Sequence, residues 1–454
     1  MSLIHSNTEE CMKSELELFS IPDTQTAIRD YHYIKYYPLT SLDRQGPLEF
    51  VVGKSSENYL DLNESILFLE FSILNENGTK ITKIAAGATG FDKQVVAPIN
   101  AFHSSAFRGI DVYLNSKLVS QTDNLYGYKS YIQTLLTYGS DAKHTFLECG
   151  QFFNDIGDLD TFDDTDAIWD SDNLESAQNK GLAQRFMLSQ NSKTFCSFGR
   201  IHSELFQQQK YLPGTNELRI KFHRADTSFA LFAKTNVRYT INIDKAVLYI
   251  KQHEIAAHIR EAHQKTLMKD ITLKYPIKRV DMKFFTKGSA RSDLSEQNLA
   301  SGTLPRRVFI GLVESDSFNG KITKNPYNFK TFKLNEIVLR QNGIPIPYES
   351  ISVNYPGNIY NEGYFSLLQA SGKIFSNTSN NITYDQYKNG YALYGFDLSN
   401  SHDNQCFDLV KEGKLSLTIS LSEASSVSIT VIAYLEYDNI IEIDKDGQVI
   451  TNYE

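Results

Sequence analysis

The sequence predicts an all-β fold of two tandem antiparallel β-sandwiches, and three observations carry that prediction. Aromatic and β-branched residues recur in short runs that alternate apolar with polar, the period of a half-buried strand; the 454 residues include 28 Phe and 26 Tyr but a single Trp. The chain also repeats itself. Phe107–Val119 alternates through Ile110, Val112 and Leu114 into the turn Asn115-Ser116-Lys117, then Leu118-Val119; Phe332–Ile346 does so again through Leu334, Ile337 and Leu339 into Asn342-Gly343, Ile344 and Ile346. Each copy runs on into a Tyr-rich segment with a Leu pair: Tyr126, Tyr128, Tyr131 and Leu135-Leu136 in the first, Tyr360, Tyr364 and Leu367-Leu368 in the second. A later strand pattern is duplicated too, Leu218, Ile220 and Phe222 after Gly214, and Leu415, Leu417 and Ile419 after Gly413. From Asn115 to Asn342 is 227 positions, far longer than a solenoid repeat. Finally, the chain is too long for one sandwich core and comfortable for two.

Taken in order, residues 1–30 are polar at first and then carry Glu15-Leu16-Glu17-Leu18-Phe19 and Ile21-Pro22. This reads as an arm whose Leu16, Leu18, Phe19 and Ile21 dock outside the sandwich, with a loosely ordered terminus as the alternative. Strand signals start at Leu48–Val52. They continue through Tyr59, Leu60 and Leu62 to Ile66–Ile73, an almost continuously apolar run suited to burial between two layers, with Asn77-Gly78 as the turn. Asn124–Tyr138 has apolar residues at three- and four-residue spacing and predicts a short helix. Residues 155–172 hold eight Asp around Trp169 and account for the extra length of the first half. Strands return near Phe195–Phe206, Leu218–Phe222, Tyr239–Ile243 and Val247–Ile250. His253–Met268, without Gly or Pro, predicts a helix joining the copies, its Ile255, Ile259, Ala262 and Leu267 mostly on one face. The second copy runs from about Lys269 and closes with the apolar run Val427–Tyr437. Eight strands, one short helix and long loops per half fit a jelly roll, two four-stranded antiparallel sheets face to face. The expectation is therefore a double jelly roll with a few short helices: arm 1–30, first jelly roll 31–252, connecting helix 253–268 and second jelly roll 269–454.

Composition excludes some functions. The net charge of −9 argues against a general nucleic-acid surface. The N-terminus lacks a signal-peptide apolar run and no stretch approaches a membrane span, so the protein is expected to be made inside the cell and not secreted. Cys11, Cys149, Cys196 and Cys406 are scattered without a CxxC, the pattern of reduced thiols. The sequons at Asn63, Asn77, Asn377 and Asn381 then read as polar turns.

The chain carries only fragments of catalytic and binding motifs. Gly53-Lys54-Ser55 resembles the end of a phosphate loop, but Leu48 stands where the first Gly belongs and a strand follows. His103-Ser104-Ser105 places a base beside hydroxyls, yet neighbours along a strand point apart, and no G-x-S-x-G elbow exists. His253, His258 and His263, five apart on a helix, cannot share one zinc ion. The Asp155–Asp172 run could gather oxygen ligands for calcium, but Asp163 and Trp169 stand where a calcium loop beginning at Asp158 needs Gly and Glu; a solvated loop is the plainer reading. No catalytic, cofactor or metal site is assigned, and a non-enzymatic structural or binding role is expected.

Several islands bear a family resemblance. Leu304-Pro305-Arg306-Arg307-Val308-Phe309-Ile310-Gly311, Phe318-Asn319-Gly320, Asn325-Pro326-Tyr327-Asn328-Phe329, Tyr59-Leu60-Asp61-Leu62, Phe102-His103-Ser104, Phe396-Asp397-Leu398 and Glu436-Tyr437-Asp438-Asn439 resemble capsid proteins of Polinton/Maverick-type elements and adintovirus-like genomes. So do Lys13-Ser14-Glu15-Leu16 and Thr24-Gln25-Thr26. The chain departs from that pattern at Ser105-Ala106-Phe107-Arg108 and at Ser399-Asn400. The resemblance implies a double jelly-roll major capsid protein of the lineage that includes adenovirus hexon and virophage capsids. Three chains would form a pseudo-hexagonal capsomer of an icosahedral virion, meeting other trimers and penton or minor capsid proteins. Loops 140–185 and 286–303 would form the outer tower or intersubunit clasps, and the arm would reach under a neighbour. A minor or vertex capsid protein is the alternative, and a carbohydrate-binding β-sandwich a further one.

Overall fold

The computed structural model describes residues 4–5, 7–43, 46–84, 88–122, 124–162, 177–402 and 406–451. Sixteen strands build its frame. In the first half these are β1 (Ile28–Tyr36), β2 (Leu48–Val52), β3 (Asn58–Asn75), β4 (Phe107–Leu114), β5 (Lys117–Thr122), β6 (Phe195–Gly199), β7 (Leu218–Arg224) and β8 (Tyr239–Ile255). In the second they are β9 (Leu273–Lys287), β10 (Glu296–Thr303), β11 (Arg307–Glu314), β12 (Leu334–Gln341), β13 (Ile344–Pro345), β14 (Leu393–Asp397), β15 (Glu412–Leu421) and β16 (Ile429–Ile443). The sheets run β1-β8-β3-β6 and β2-β7-β4-β5, then β9-β16-β11-β14 and β10-β15-β12-β13. Each strand of the second half occupies the position of the strand eight earlier, and every pairing is antiparallel. This is the jelly-roll order, twice.

The duplication extends to single hydrogen bonds. Asn115 and Asn342 open the β4–β5 and β12–β13 turns with φ of 47° and 50°, the left-handed region that Asn tolerates better than other side chains. Asn115 Oδ1 accepts from Glu217 N at 2.9 Å, and Asn342 Oδ1 accepts from Lys414 N at 2.9 Å. Their own amides donate to the carbonyls of those same two residues at 3.0 and 2.9 Å. An Asn in this turn therefore ties two strands of one sheet together in both halves.

Helix α1 (Tyr126–Thr137) is the element expected from Asn124–Tyr138, and its inner residues are buried. Its counterpart α4 (Asn361–Ala370) follows β13 as α1 follows β5. Two further helices of ten residues or more, α2 (Lys180–Ser189) and α3 (Ala257–Leu267), lie in the first half's long insertion and between the halves. The two sandwiches share their apolar interiors. One cluster joins Tyr128, Tyr131 and Leu135 to Tyr327, Phe329 and Leu393; another joins Leu60, Leu62 and Leu212 to Tyr275, Ile441 and Ile443. Asn115 Nδ2 also donates to Gly447 O at 2.7 Å, and Lys117 Nζ to Val449 O at 2.8 Å.

Several expectations differ from the structure. A strand, β1, precedes the one expected first and begins inside the 1–30 arm; it lies at a sheet edge with most residues exposed, so the apolar alternation that marks a strand is absent. The joining helix starts at Ala257, while His253–Ile255 complete β8. No α3 residue is buried, so its spacing reflects half-covered Ile259 and Leu267 and no packed face. Residues 286–303 are not a long loop but hold the end of β9 and all of β10, whose Gly, Ser and Asn content concealed a strand.

Candidate assembly interface

The end of the molecule where the chain enters is marked by register. Ile28 pairs with Ile255, Asn58 with Glu254, and Tyr59 with Pro213, so the arm, α3 and the 200–211 connection between β6 and β7 gather there. The arm is anchored at its inner end: Gln25 exchanges two hydrogen bonds with the Ile28 backbone, and Ala256 N donates to Ala27 O at 2.9 Å. Outward from Gln25 the described side chains are bare. Leu16, Leu18, Phe19 and Ile21 are 64%, 77%, 97% and 88% exposed. Burying one such side chain contributes about 1.5–3 kcal/mol, so four in six positions form a segment suited to a partner surface.

A groove of about 900 Å³ opens between the two jelly rolls and includes residues of the 200–211 connection. Its cations are Arg200, Lys210, Lys278, Arg306, Arg307 and Lys373; its carboxylates are Glu204, Glu436 and Asp438. Several are tethered. Arg306 meets Asp438 at 2.8 Å, Arg307 meets Glu436 at 3.5 Å, and Arg200 donates to the Tyr138 hydroxyl at 3.1 Å. Tyr138, Arg200 and His202 also line an apolar cavity of about 270 Å³ walled by Ile66, Phe146, Leu147 and Phe152. Charge and apolar surface are thus continuous.

His103 and His202 stand in that cavity. The His103 ring is buried, with Nδ1 2.8 Å from Ser197 Oγ, and burial lowers its pKa to about 4. Burial, then His103 when it is charged and the Arg200 and Lys129 cations nearby, lower that of His202 to about 3. An unfolded imidazole takes its proton near pH 6.5. Both groups therefore leave stability intact above pH 6.5 and erode it as pH falls toward their folded values, because the unfolded chain binds the proton first. For His103 alone the loss at pH 5 is about 2 kcal/mol. Urea midpoints measured from pH 7.5 to 4.5 are expected to fall, and to fall less steeply in His103→Gln; a flat profile would refute this.

The other sequence candidates occupy structural places. His103-Ser104-Ser105 is one helical turn, Phe102–Ser105, and not the strand expected. Gly53-Lys54-Ser55 leads into β3 as expected, with Ser55 N donating to Gly214 O at 2.6 Å. His253 lies in β8 under the Tyr211 ring at 4.5 Å, whereas His263 on α3 meets the Tyr59 hydroxyl at 2.9 Å. Of the acidic run, Asp155 is buried against Arg185 at 3.0 Å and Asp160 meets Lys330 at 2.6 Å; Asp163–Asp172, with Trp169, lie outside the described residues. Among the described residues no group of three metal-binding side chains forms, and no helix is long and apolar enough to cross a membrane. The groove itself was not legible in advance, since its cations come from five separate segments whose only early sign was the Arg306-Arg307 pair.

No protein-family model matches the chain. The uncharacterized Caenorhabditis elegans protein F54H12.2 is 24% identical over 430 residues, spanning 93% of this chain and 97% of its own. Among solved structures, a chain of the Sputnik virophage cryo-EM structure superposes with TM-score 0.67 at 12% identity, covering 100% of this chain and 95% of that one. A chain of the PBCV-1 capsid model gives 0.60 at 9% identity, with 96% and 99% covered. The mavirus major capsid protein gives 0.55 at 10% identity, with 100% and 97% covered. At such identities the likeness is one of fold. The chain is a double jelly-roll protein, and its architecture over its full length is that of these viral capsid chains.

Proposed function

We propose that the protein is the major capsid protein of a virus or virus-derived element, assembling as trimeric pseudo-hexagonal capsomers of an icosahedral shell. The observation that carries this reading is that both jelly rolls, in order and joined through a shared interior, match capsid chains from end to end. Its role is then structural and not enzymatic, with further copies, vertex and minor capsid proteins as partners and the virion as its place. The chain divides into the arm, a first jelly roll, the linker with α3, and a second jelly roll. Leu16, Leu18, Phe19 and Ile21 serve as the assembly arm, because no described part of their own chain covers them. An obligate trimer of this kind buries on the order of 2,000 Å² or more per interface.

Light scattering after size exclusion tests the proposal, on the full chain and on a variant lacking residues 1–24. The expected result is a particle near three times 51.6 kDa that grows into larger assemblies only with the arm present. A monomer at every concentration refutes the capsid reading, and a pentamer moves the protein to the vertex.

A further inference from the structure

The bare arm and the basic groove are complementary, which specifies a receptor for the arm more closely than an unnamed neighbour. Between Glu9 and Asp23 the arm carries five acids, Glu9, Glu10, Glu15, Glu17 and Asp23, against the single base Lys13. Its apolar side chains are interleaved with these acids in Glu15-Leu16-Glu17-Leu18-Phe19. The described lining of the groove holds six cations against three carboxylates; Lys278, Arg306 and Arg307 meet Glu436, Asp438 and Asp408, which leaves Arg200, Lys210 and Lys373 toward an acidic segment, with an apolar cavity opening beside Arg200. Phe146, on the cavity wall, is 50% exposed. The groove residues Gln207–Lys210 lie near the end of the molecule where β1 begins, and the cavity opens from the same groove farther along β3, beside Ile66 and Gly199.

We propose that residues Glu15–Ile21 of one copy dock into this groove on a second copy of the chain. Phe19 enters the cavity between Phe146 and Phe152, and Glu15 and Glu17 lie toward Arg200, Lys210 and Lys373. The inference rests on the trimeric reading above and adds the receptor to it. Opposed charges steer the encounter and weaken with salt, while the apolar insertion supplies the lasting contact. From Ile28 back to Phe19 the chain spans at most roughly 30 Å when extended, which sets how far Phe19 reaches from the sheet edge.

Cys149 lines the same cavity and is exposed, which supplies a test. The variant C11S/F19C/C196S/C406S retains Cys149 as the partner for position 19, and diamide oxidises the pair to a disulfide. Such a bond forms only with the two Cα atoms within about 7 Å. The expected result is a band at twice 51.6 kDa or higher on a non-reducing gel. That band should be lost when Cys149 is also changed to Ser, and lost in 1 M salt or on adding E15K/E17K.

Four outcomes overturn the proposal. A monomer of altered mobility places the arm in its own chain's groove. A cross-link insensitive to both salt and charge reversal removes the complementarity. No cross-link in a particle whose light-scattering mass is still trimeric places the arm elsewhere and leaves the capsid reading standing; a monomeric mass removes both.

Discussion

Tyr327→Ala is expected to cost about 3–5 kcal/mol, the range for deleting a large buried aromatic, and to split one unfolding transition into two. Tyr327 belongs to the segment between β11 and β12 of the second jelly roll, yet its ring lies in the first half. It stacks on Tyr131 of α1 at 4.1 Å and 9° and meets Tyr128 edge-on at 5.4 Å. Gly127 makes this approach possible, since a Cβ there would stand 2.7 Å from the Tyr327 hydroxyl oxygen. Ser105 Oγ donates its only proton to Asn100 O at 3.0 Å, so the Tyr327 hydroxyl donates to Ser105 Oγ. Removing the ring opens a cavity at the joint between the jelly rolls; Tyr327→Phe removes only the hydrogen bond and should cost about 1 kcal/mol. Urea unfolding followed by both fluorescence and far-ultraviolet circular dichroism measures this. Coincident single transitions with an unchanged midpoint in Tyr327→Ala would show that the joint lies elsewhere.

The second large effect concerns a buried ion pair. Lys129 Nζ on α1 meets Glu204 at 2.5 Å, both side chains all but inaccessible. Ser120 Oγ also donates to the Glu204 carboxylate, and Val280 N from β9 of the second half donates to it at 3.3 Å. Burial pushes the Glu204 carboxyl up, but the charge of Lys129 and the hydrogen bonds from Lys129 and Ser120 outweigh it, so its pKa lies below the ordinary value. Glu204→Ala leaves Lys129 buried without a counter-charge and is expected to cost about 3–5 kcal/mol. In the double variant Lys129→Met/Glu204→Leu neither charge remains, and the loss should be smaller than in either single variant. A double-mutant cycle in urea is the measurement; additive losses would mean that the pair is solvated and that its bond to β9 matters little.

What could be read beforehand followed from local rules. The turn residues Asn115 and Asn342, the alternation of β4 and β12, and the Tyr-rich helices α1 and α4 are each dictated by backbone sterics and burial within a dozen residues. Their repetition exposed the double jelly roll. The misses have the same cause inverted. β1 and β10 lack the pattern because an edge strand need not bury alternate residues, and α3 has helical spacing although none of its residues is buried. Leu16, Leu18, Phe19 and Ile21 stand out in the sequence as apolar residues following a polar N-terminal stretch, and the structure leaves all four exposed.

The sequence by itself determined the fold class, its duplication and the apolar character of the arm, because periodicity and turn chemistry are written in neighbouring residues. Tertiary structure alone decided the joint and the groove. Ser105 meets Tyr327 across 222 positions and Asn115 meets Gly447 across 332. The cations of the groove converge from Arg200 to Lys373, and no local pattern records that Glu436 and Asp438 meet some of them. Contacts at that separation depend on how two finished sandwiches pack, and such packing is chosen by complementary shape and charge, which leave no period in the chain.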